Sequence, residues 1–159
     1  MLYDDISSEK MIDIKKYLVD KTAEITIPIL KLEGVRIKYV FFNEPHKKNS
    51  FYQSGVNISK SKRYDYIMRF FNCKQYQSRE LKHVVFNIIL STIHELRHIY
   101  QIENNMYPEM STDSKIPYDE REWEIDASKY ATIQFSNNKK LFTEYYKEAL
   151  KIVGVEENE

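Results

Sequence analysis

His94-Glu95-Leu96-Arg97-His98 lies late in an apolar run, Leu81 to Tyr100, whose pattern predicts one long, central helix. Two histidines four residues apart leave the same face of a helix about 6 Å from each other, so both imidazoles can converge on one metal ion. Glu95 can then reach a water held by that ion, whose pKa falls to about 7. The spacing therefore predicts a zinc centre with His94 and His98 as ligands and Glu95 as general base.

Length and composition restrict the class of protein. The chain has 159 residues, 42% hydrophobic and 30% charged, which is typical of globular proteins, so we expect residues 1–159 to form one domain. Its net charge is zero, so no overall attraction to nucleic acid or to a membrane surface is expected. Cys73 is the only cysteine, the amino terminus lacks signal-peptide features, and no apolar stretch reaches the length of a membrane span. These features favour a cytoplasmic protein without an internal disulfide.

The segments before the motif favour a small sheet beside helices. Their patterns predict a helix at Ser7–Lys21, strands at Val35–Phe42 and Tyr64–Phe71, and a loop or loose hairpin connection at Asn43–Ser61. Thr22–Leu32 is ambiguous, because its alternating isoleucines favour a strand whereas Pro28 removes a ladder donor.

The motif helix and the segments after it are predicted to be mainly helical. Their patterns predict the motif helix at Arg79–Glu103, a loop at Asn104–Tyr118, helices at Glu120–Gln134 and Lys139–Val153, and a frayed tail at 156–159. We therefore expect an α+β fold, in which a small twisted sheet packs on the central motif helix and on further helices.

A catalytic zinc site normally has a third protein ligand, and the acidic helix after the motif offers several carboxylates. Glu124 lies three and seven residues before Ala127 and Ala131 and shares their inward face. Glu122 lies three residues after Asp119, which also suits a capping box at the helix start. The helical wheel thus favours Glu124 as the third ligand. The alternatives are Glu122, Asp126 and Glu120.

The pattern His94-Glu95-x-x-His98, followed by Glu124-x-x-Ala127 and Tyr130-Ala131, resembles the gluzincin group of metallopeptidases. It is similar to the small ImmA/IrrE-type and SprT-like members and to mobile-element metallopeptidases. The resemblance covers about Leu81 to Thr132 and implies a zincin-like fold, two histidine ligands, a glutamate ligand and Glu95 as general base. The register of thermolysin-like enzymes would instead select Glu122, with Asp126 four residues later.

Other side chains near the motif are candidates for supporting roles. An oxyanion or a substrate group can be held by Tyr118, Tyr107 or Arg97, which lie close to the motif in sequence. Asn87 and Ser91 precede His94 on its helix face, so they are candidates to orient this ligand. We expect no metal role for His83 or His46.

These features predict zinc-dependent hydrolysis of a peptide bond in a dedicated protein substrate, which would lie extended along an edge strand at Tyr64–Phe71. The alternative is a non-catalytic, zinc-containing binding module that engages a protein or nucleic-acid partner. Such a module would use the uneven charge of the chain. Segment 44–82 has nine basic and three acidic residues, whereas segment 103–126 has eight acidic and two basic residues.

Overall fold

The computed structural model describes residues 1–111 and 115–155, which contain four α-helices and three β-strands. In chain order these are α1 (Ser8–Ile29), β1 (Ile37–Phe41), β2 (Ser54–Ile58), β3 (Tyr66–Phe70), α2 (Leu81–Glu103), α3 (Glu122–Asn137) and α4 (Lys139–Ile152). Helices beside a small mixed sheet confirm the predicted α+β class. Residues 112–114 of the predicted loop and the predicted frayed tail, 156–159, lie outside the described residues.

Helix α1 is longer than predicted, because it includes most of the segment with alternating isoleucines. Ser7 caps its start, since its hydroxyl accepts the backbone N–H of Lys10 at 3.2 Å. Buried positions recur every four residues, at Leu18, Thr22 and Thr26, so a helix buries one continuous face. Pro28 lies in the last turn, has no N–H for the carbonyl four residues earlier, and is followed by the helix end at Ile29. The strand alternative for Thr22–Leu32 is therefore wrong.

The sheet has the strand order β1-β3-β2, with β1 parallel and β2 antiparallel to β3. Strands β1 and β3 lie within the two predicted strands. Because β3 is central, the prediction of an edge strand at Tyr64–Phe71 is wrong. Strand β2 lies within the predicted loop, Asn43–Ser61, where Gly55 and Asn57 weaken the local preference for a strand. Pairing with β3 determines its conformation and makes it an edge strand.

Helix α2, which carries the motif, contacts α1, α3, α4 and β2. Its buried apolar face joins the core through Leu81, Val84, Val85, Ile88, Ile89, Ile93, Leu96 and Ile99. Burying this many branched side chains on one helix accounts for its central position.

Helix α3 starts at Glu122, two residues later than predicted, because Tyr118–Glu120 forms a separate 3-10 turn. It packs against α2, which places Glu124, in its first turn, beside the motif. Helix α4 covers α1 and α2, with Phe142 fully buried. Among residues 1–111 and 115–155, no helix combines the length and the apolar character that crossing a membrane requires.

Candidate metal centre

Three potential metal ligands converge between α2 and α3. The Nε2 atom of His98 lies 3.0 Å from Nε2 of His94 and 2.8 Å from Oε1 of Glu124. The Nε2 atom of His94 lies 3.1 Å from Oε2 of Glu124. The structure thus brings together the three residues that were predicted to be ligands, and they alone form such a group among the described residues.

These separations fit one four-coordinate ion. Zinc lies about 2.0–2.1 Å from nitrogen or carboxylate ligands, so a tetrahedral arrangement puts ligand atoms about 3.3 Å apart. The three measured separations, from 2.8 to 3.1 Å, are close to that value. Two imidazoles and one carboxylate are also the donor set of hydrolytic zinc sites, which leave one position open. The residues present therefore fit zinc.

A hydrogen-bonded chain orients His98. The side-chain amide of Gln101 donates to the Trp123 carbonyl at 2.9 Å and to Oδ2 of Asp126 at 2.7 Å, so its Oε1 is the acceptor that faces His98. Nδ1 of His98 therefore donates to that oxygen, at 2.8 Å. With Nδ1 fixed as a donor to Gln101, Nε2 faces Glu124, to which it donates while the imidazole is protonated, and it would offer its lone pair to a bound ion instead.

Arg97 completes this chain and does not line the cleft. Its guanidinium donates to both oxygens of Asp126, at 2.8 and 3.2 Å, and lies over the rings of Tyr100 and Tyr130. The structure therefore directs Arg97 away from the oxyanion position predicted for it and pairs it with the carboxylate that supports Gln101. Arg97 and Gln101 both bond to Asp126, so the carboxylate of this alternative ligand is already engaged.

His94 is supported from α3 and not from its own helix. The Ser128 hydroxyl lies 3.2 Å from Nδ1 of His94. The predicted partners bond elsewhere, since Asn87 donates to the His83 carbonyl and Ser91 to Gln53. The support of His94 therefore depends on the packing of α3 against α2.

Glu95 is buried between the ligand group and strand β2. Its side chain accepts a hydrogen bond from the Ser54 hydroxyl at 3.0 Å, and the residue is only 6% exposed. Burial raises the pKa of this carboxyl, against the lowering effect of His98, His94 and Ser54. Because Ser54 begins β2, the hydrogen bond ties the predicted general base to the edge of the sheet.

Glu124 receives several hydrogen bonds that favour its charged form. Burial alone would raise the pKa of this carboxyl, but hydrogen bonds from His94, His98 and Tyr118 bring it well below its usual range. Burial, followed by the bond to Glu124, raises the pKa of Tyr118. Tyr118, one of the three oxyanion candidates, thus interacts with a predicted ligand.

An open cleft of two lobes surrounds these groups. The larger lobe, about 950 Å³, contains His98 and Glu124, and the smaller one, about 660 Å³, contains His94. Both lobes are lined by Tyr52, Ser54, Glu95 and Tyr118. Tyr107 lines the larger lobe, where its ring packs against buried Trp123. The ligand group is therefore accessible to a molecule several residues long.

The remaining candidates lie apart from the ligand group. Glu122 and Glu120 are exposed, and neither belongs to the described cluster of potential ligands. His46 packs its ring against Tyr52 and Phe71, and Cys73 is buried with its pKa raised by burial. The geometry thus distinguishes Glu124 from the other carboxylates of the acidic segment.

Several site residues were missed from the sequence, namely Tyr52, Ser54, Gln101 and Ser128. Gln101 lies three residues after His98 on the same helix, and this spacing is a local signal for a side-chain contact. Tyr52 and Ser54 depend on β2, whose sequence resembles a loop. Ser128 depends on the packing of α3 against α2.

The ligand group and its cleft are the basis for interpreting the chemistry of this chain. Comparison of the chain with protein-family models, curated proteins and solved structures finds no match. The interpretation therefore rests on the side chains themselves: two imidazole nitrogens and a carboxylate converge beside a second, buried carboxylate.

Proposed function

We infer that this protein is a zinc-dependent hydrolase of peptide bonds, similar to gluzincins and acting on a dedicated protein substrate. The observation that carries this inference is the placement of Glu95. It lies next to His94, His98 and Glu124, but its carboxylate accepts a hydrogen bond from Ser54. Glu95 is therefore separate from the three ligand side chains, which face one another. A purely structural zinc site has four protein ligands and needs no such additional carboxylate.

The catalytic roles follow from these positions. Zinc bound by His94, His98 and Glu124 would supply a Lewis acid for a water and for the scissile carbonyl. Glu95 would accept the proton of that water and pass it to the departing amine. Ser54 holds one oxygen of Glu95 and leaves the other for this transfer. Tyr118 lines both lobes, and its hydroxyl would donate to the substrate carbonyl oxygen in exchange for Glu124.

The substrate would lie extended along β2. This strand is an edge of the sheet, lines the larger lobe and carries Ser54, the partner of Glu95. An extended peptide can add to such an edge through backbone hydrogen bonds, which brings a peptide bond past the catalytic carboxylate. An edge strand beside the motif helix, with a glutamate-bearing helix on the other side, is also what supports a zincin-like description of the fold.

Zinc content and peptide cleavage test this function together. We expect about one zinc per chain in the wild type, and loss of zinc in Glu124→Ala. Glu122→Ala is the matched control, because Glu122 is exposed in the same helical turn, and it should keep zinc. The zinc-loaded wild type should cleave a small set of related sequences in a proteome-derived peptide library, as a dedicated substrate implies. Zinc binding without cleavage would contradict a hydrolase and favour the zinc-containing binding module.

A further inference from the structure

A second cavity, of about 300 Å³, lies on the outer face of the sheet beside β2. Its polar lining comes from His46, Asn49, Asn57 and Arg69, and its walls include the rings of Tyr52 and Phe71. Within the part of the chain that the structure describes, no carboxylate lines it. This composition contrasts with the neighbouring cleft, where Glu95 and Glu124 are charged groups of the lining.

The hydrogen-bond acceptors of this cavity are already occupied. Nδ1 of His46 accepts the backbone N–H groups of Lys48 and Asn49, both at 3.2 Å, so its other ring nitrogen carries the proton. Oδ1 of Asn49 accepts the backbone N–H of Phe51 at 3.1 Å. Oδ1 of Asn57 accepts from Arg69 at 3.0 Å. The side-chain groups that remain are N–H donors and the Tyr52 hydroxyl, which can also donate.

Arg69 adds a positive charge that is not neutralised nearby. Its bond to Asn57 is to a neutral acceptor, and within residues 1–111 and 115–155 it belongs to none of the salt bridges. A guanidinium presents five N–H donors in a planar fork that suits a carboxylate. A cavity with spare donors, a cation and no acid among the described residues has the chemistry of an anion site.

The walls of the cavity strengthen such an interaction. The rings of His46, Tyr52 and Phe71 pack on one another, with centroids 5.0 to 5.7 Å apart. Gly55 makes this possible, because a Cβ at that position would collide with the Tyr52 hydroxyl. Tyr52 is itself 39% exposed, so these walls lower the screening of a charge pair inside only in part.

We propose that this cavity is a subsite for the acidic side chain of a substrate that lies along β2. The inference rests on the proposed peptidase function. Gly55, Asn57 and Arg69 line both the cavity and the larger lobe of the cleft, so the two are continuous across β2. Successive side chains of an added strand point to opposite faces of the sheet. One substrate side chain therefore enters the cavity while its neighbours in sequence face the side of Ser54 and Glu95.

Binding is tested without catalysis by nitrogen-15 NMR of the zinc-supplied full chain. The probe is the tripeptide acetyl-Ala-Glu-Ala-amide, with acetyl-Ala-Gln-Ala-amide as its neutral counterpart. We expect the glutamate probe to shift the Arg69 side-chain N–H signal and the glutamine probe to leave it unchanged. Arg69→Gln should weaken binding of the glutamate probe by about tenfold or more. Arg63→Gln, a change at an exposed arginine outside the cavity, should not.

The source of the carboxylate is tested with acetyl-Ala-Gln-Ala that ends in a free carboxylate. If the cavity takes side chains, this probe shifts Arg69 less than the glutamate probe does. A larger shift from the free terminus would overturn the assignment to an acidic side chain and assign the cavity to a chain end.

Cleavage separates this proposal from the proposed function. Peptides cut by the zinc-loaded wild type should be enriched in Asp or Glu at one position near the cut, and Arg69→Glu should replace that preference with Lys or Arg. Cleavage without an acidic preference overturns the subsite and leaves the peptidase standing. Carboxylate binding at Arg69 without any cleavage overturns the peptidase and, with it, the role of the cavity in substrate selection.

Discussion

Around His98 two carboxylates and a guanidinium surround an imidazole, whereas around Lys15 a single positive charge is buried among neutral acceptors. Glu124, His98, Asp126 and Arg97 form the first cluster, with Gln101 joining the last two to the histidine. Lys15, on α1, is 1% exposed and donates to the Phe71 carbonyl and the Asn72 side chain. Lys15 forms no salt bridge within the described residues.

The difference shows what each cluster is suited to do. In the first, one ligand atom each of His94, His98 and Glu124 faces the others, an arrangement that favours a bound cation. In the second, the ammonium of Lys15 is itself the cation, and its hydrogen bond to the Phe71 carbonyl ties α1 to the end of β3. Changes in the first cluster should therefore affect metal binding and turnover, and changes in the second should affect stability.

The largest effect is expected for Glu95→Gln. Loss of the general base should lower kcat by about 10²- to 10⁴-fold, whereas zinc content should stay at that of the wild type. The introduced amide would keep the shape of Glu95 and its contact with Ser54, and it would no longer bury a charge, so the free energy of unfolding should not fall. Steady-state cleavage, elemental analysis and urea unfolding measure the three quantities. If Glu95→Gln lost stability together with activity, Glu95 would support the fold, and the contrast between the two clusters would be wrong.

Lys15 is expected to make stability depend on pH. Burial lowers its pKa to about 8, although nearby Cys73 acts in the opposite direction, and in the unfolded chain the value is about 10.4. Between these values the unfolded state binds more protons, so this group makes the protein more stable as pH rises from 8 toward 10.4. The gain is at most about 3 kcal/mol, and below pH 8 the contribution is constant.

Urea unfolding of the wild type and of Lys15→Met across pH 7–10 measures this gain. The difference in free energy of unfolding between the two proteins reports Lys15 together with its interaction with Cys73, because the tyrosines titrate in both. We expect this difference to shift in favour of the wild type above pH 8. A flat difference would show that the ammonium is not desolvated, and altered zinc content in Lys15→Met would break the separation of the two clusters.

Gln101→Leu should weaken zinc binding by about 10- to 100-fold, because His98 loses the acceptor that sets its tautomer. The measurement is competition with a chromogenic chelator. Gln134→Leu provides a matched change at a half-buried glutamine of α3 and should leave zinc affinity unaltered. Equal zinc affinity in Gln101→Leu and the wild type would mean that the chain from His98 to Arg97 serves stability alone.

The smallest effect is expected for Ser128→Ala. Its hydroxyl lies 3.2 Å from Nδ1 of His94 but the residue is exposed, so water can replace it. Zinc affinity should fall by less than about tenfold in the same competition assay. A loss larger than that of Gln101→Leu would reverse the expected order of the two supporting contacts.

The sequence-based predictions that the structure supports are those that depend on the spacing of residues close in the chain. The three motif residues share one helix, and the face that Glu124 shares with Ala127 follows from helical periodicity alone. These positions depend on contacts within a few turns, which a sequence displays directly. The predicted helices and the two stronger strands were accessible for the same reason.

The errors have a common physical cause, which is dependence on partners distant in the chain. Pro28 suggested a break, but the buried stripe of α1 continues to the helix end because other helices cover it. Arg97 was expected in the cleft, but Asp126, on another helix, engages its guanidinium. Neither the helices that cover α1 nor Asp126 lies within the few turns of sequence from which the predictions were made.

The sequence by itself determined the α+β class, the motif helix and a ligand group of His94, His98 and Glu124 as its preferred interpretation, because helical spacing places those side chains on defined faces. Only the tertiary structure decided that β2 is an edge strand and that β3 is central. It also decided the partners of Glu95 and His98 and the cavity beside Arg69. Strand order and cavities arise from pairing and packing between segments tens of residues apart, and the free energy of those contacts outweighs local preference.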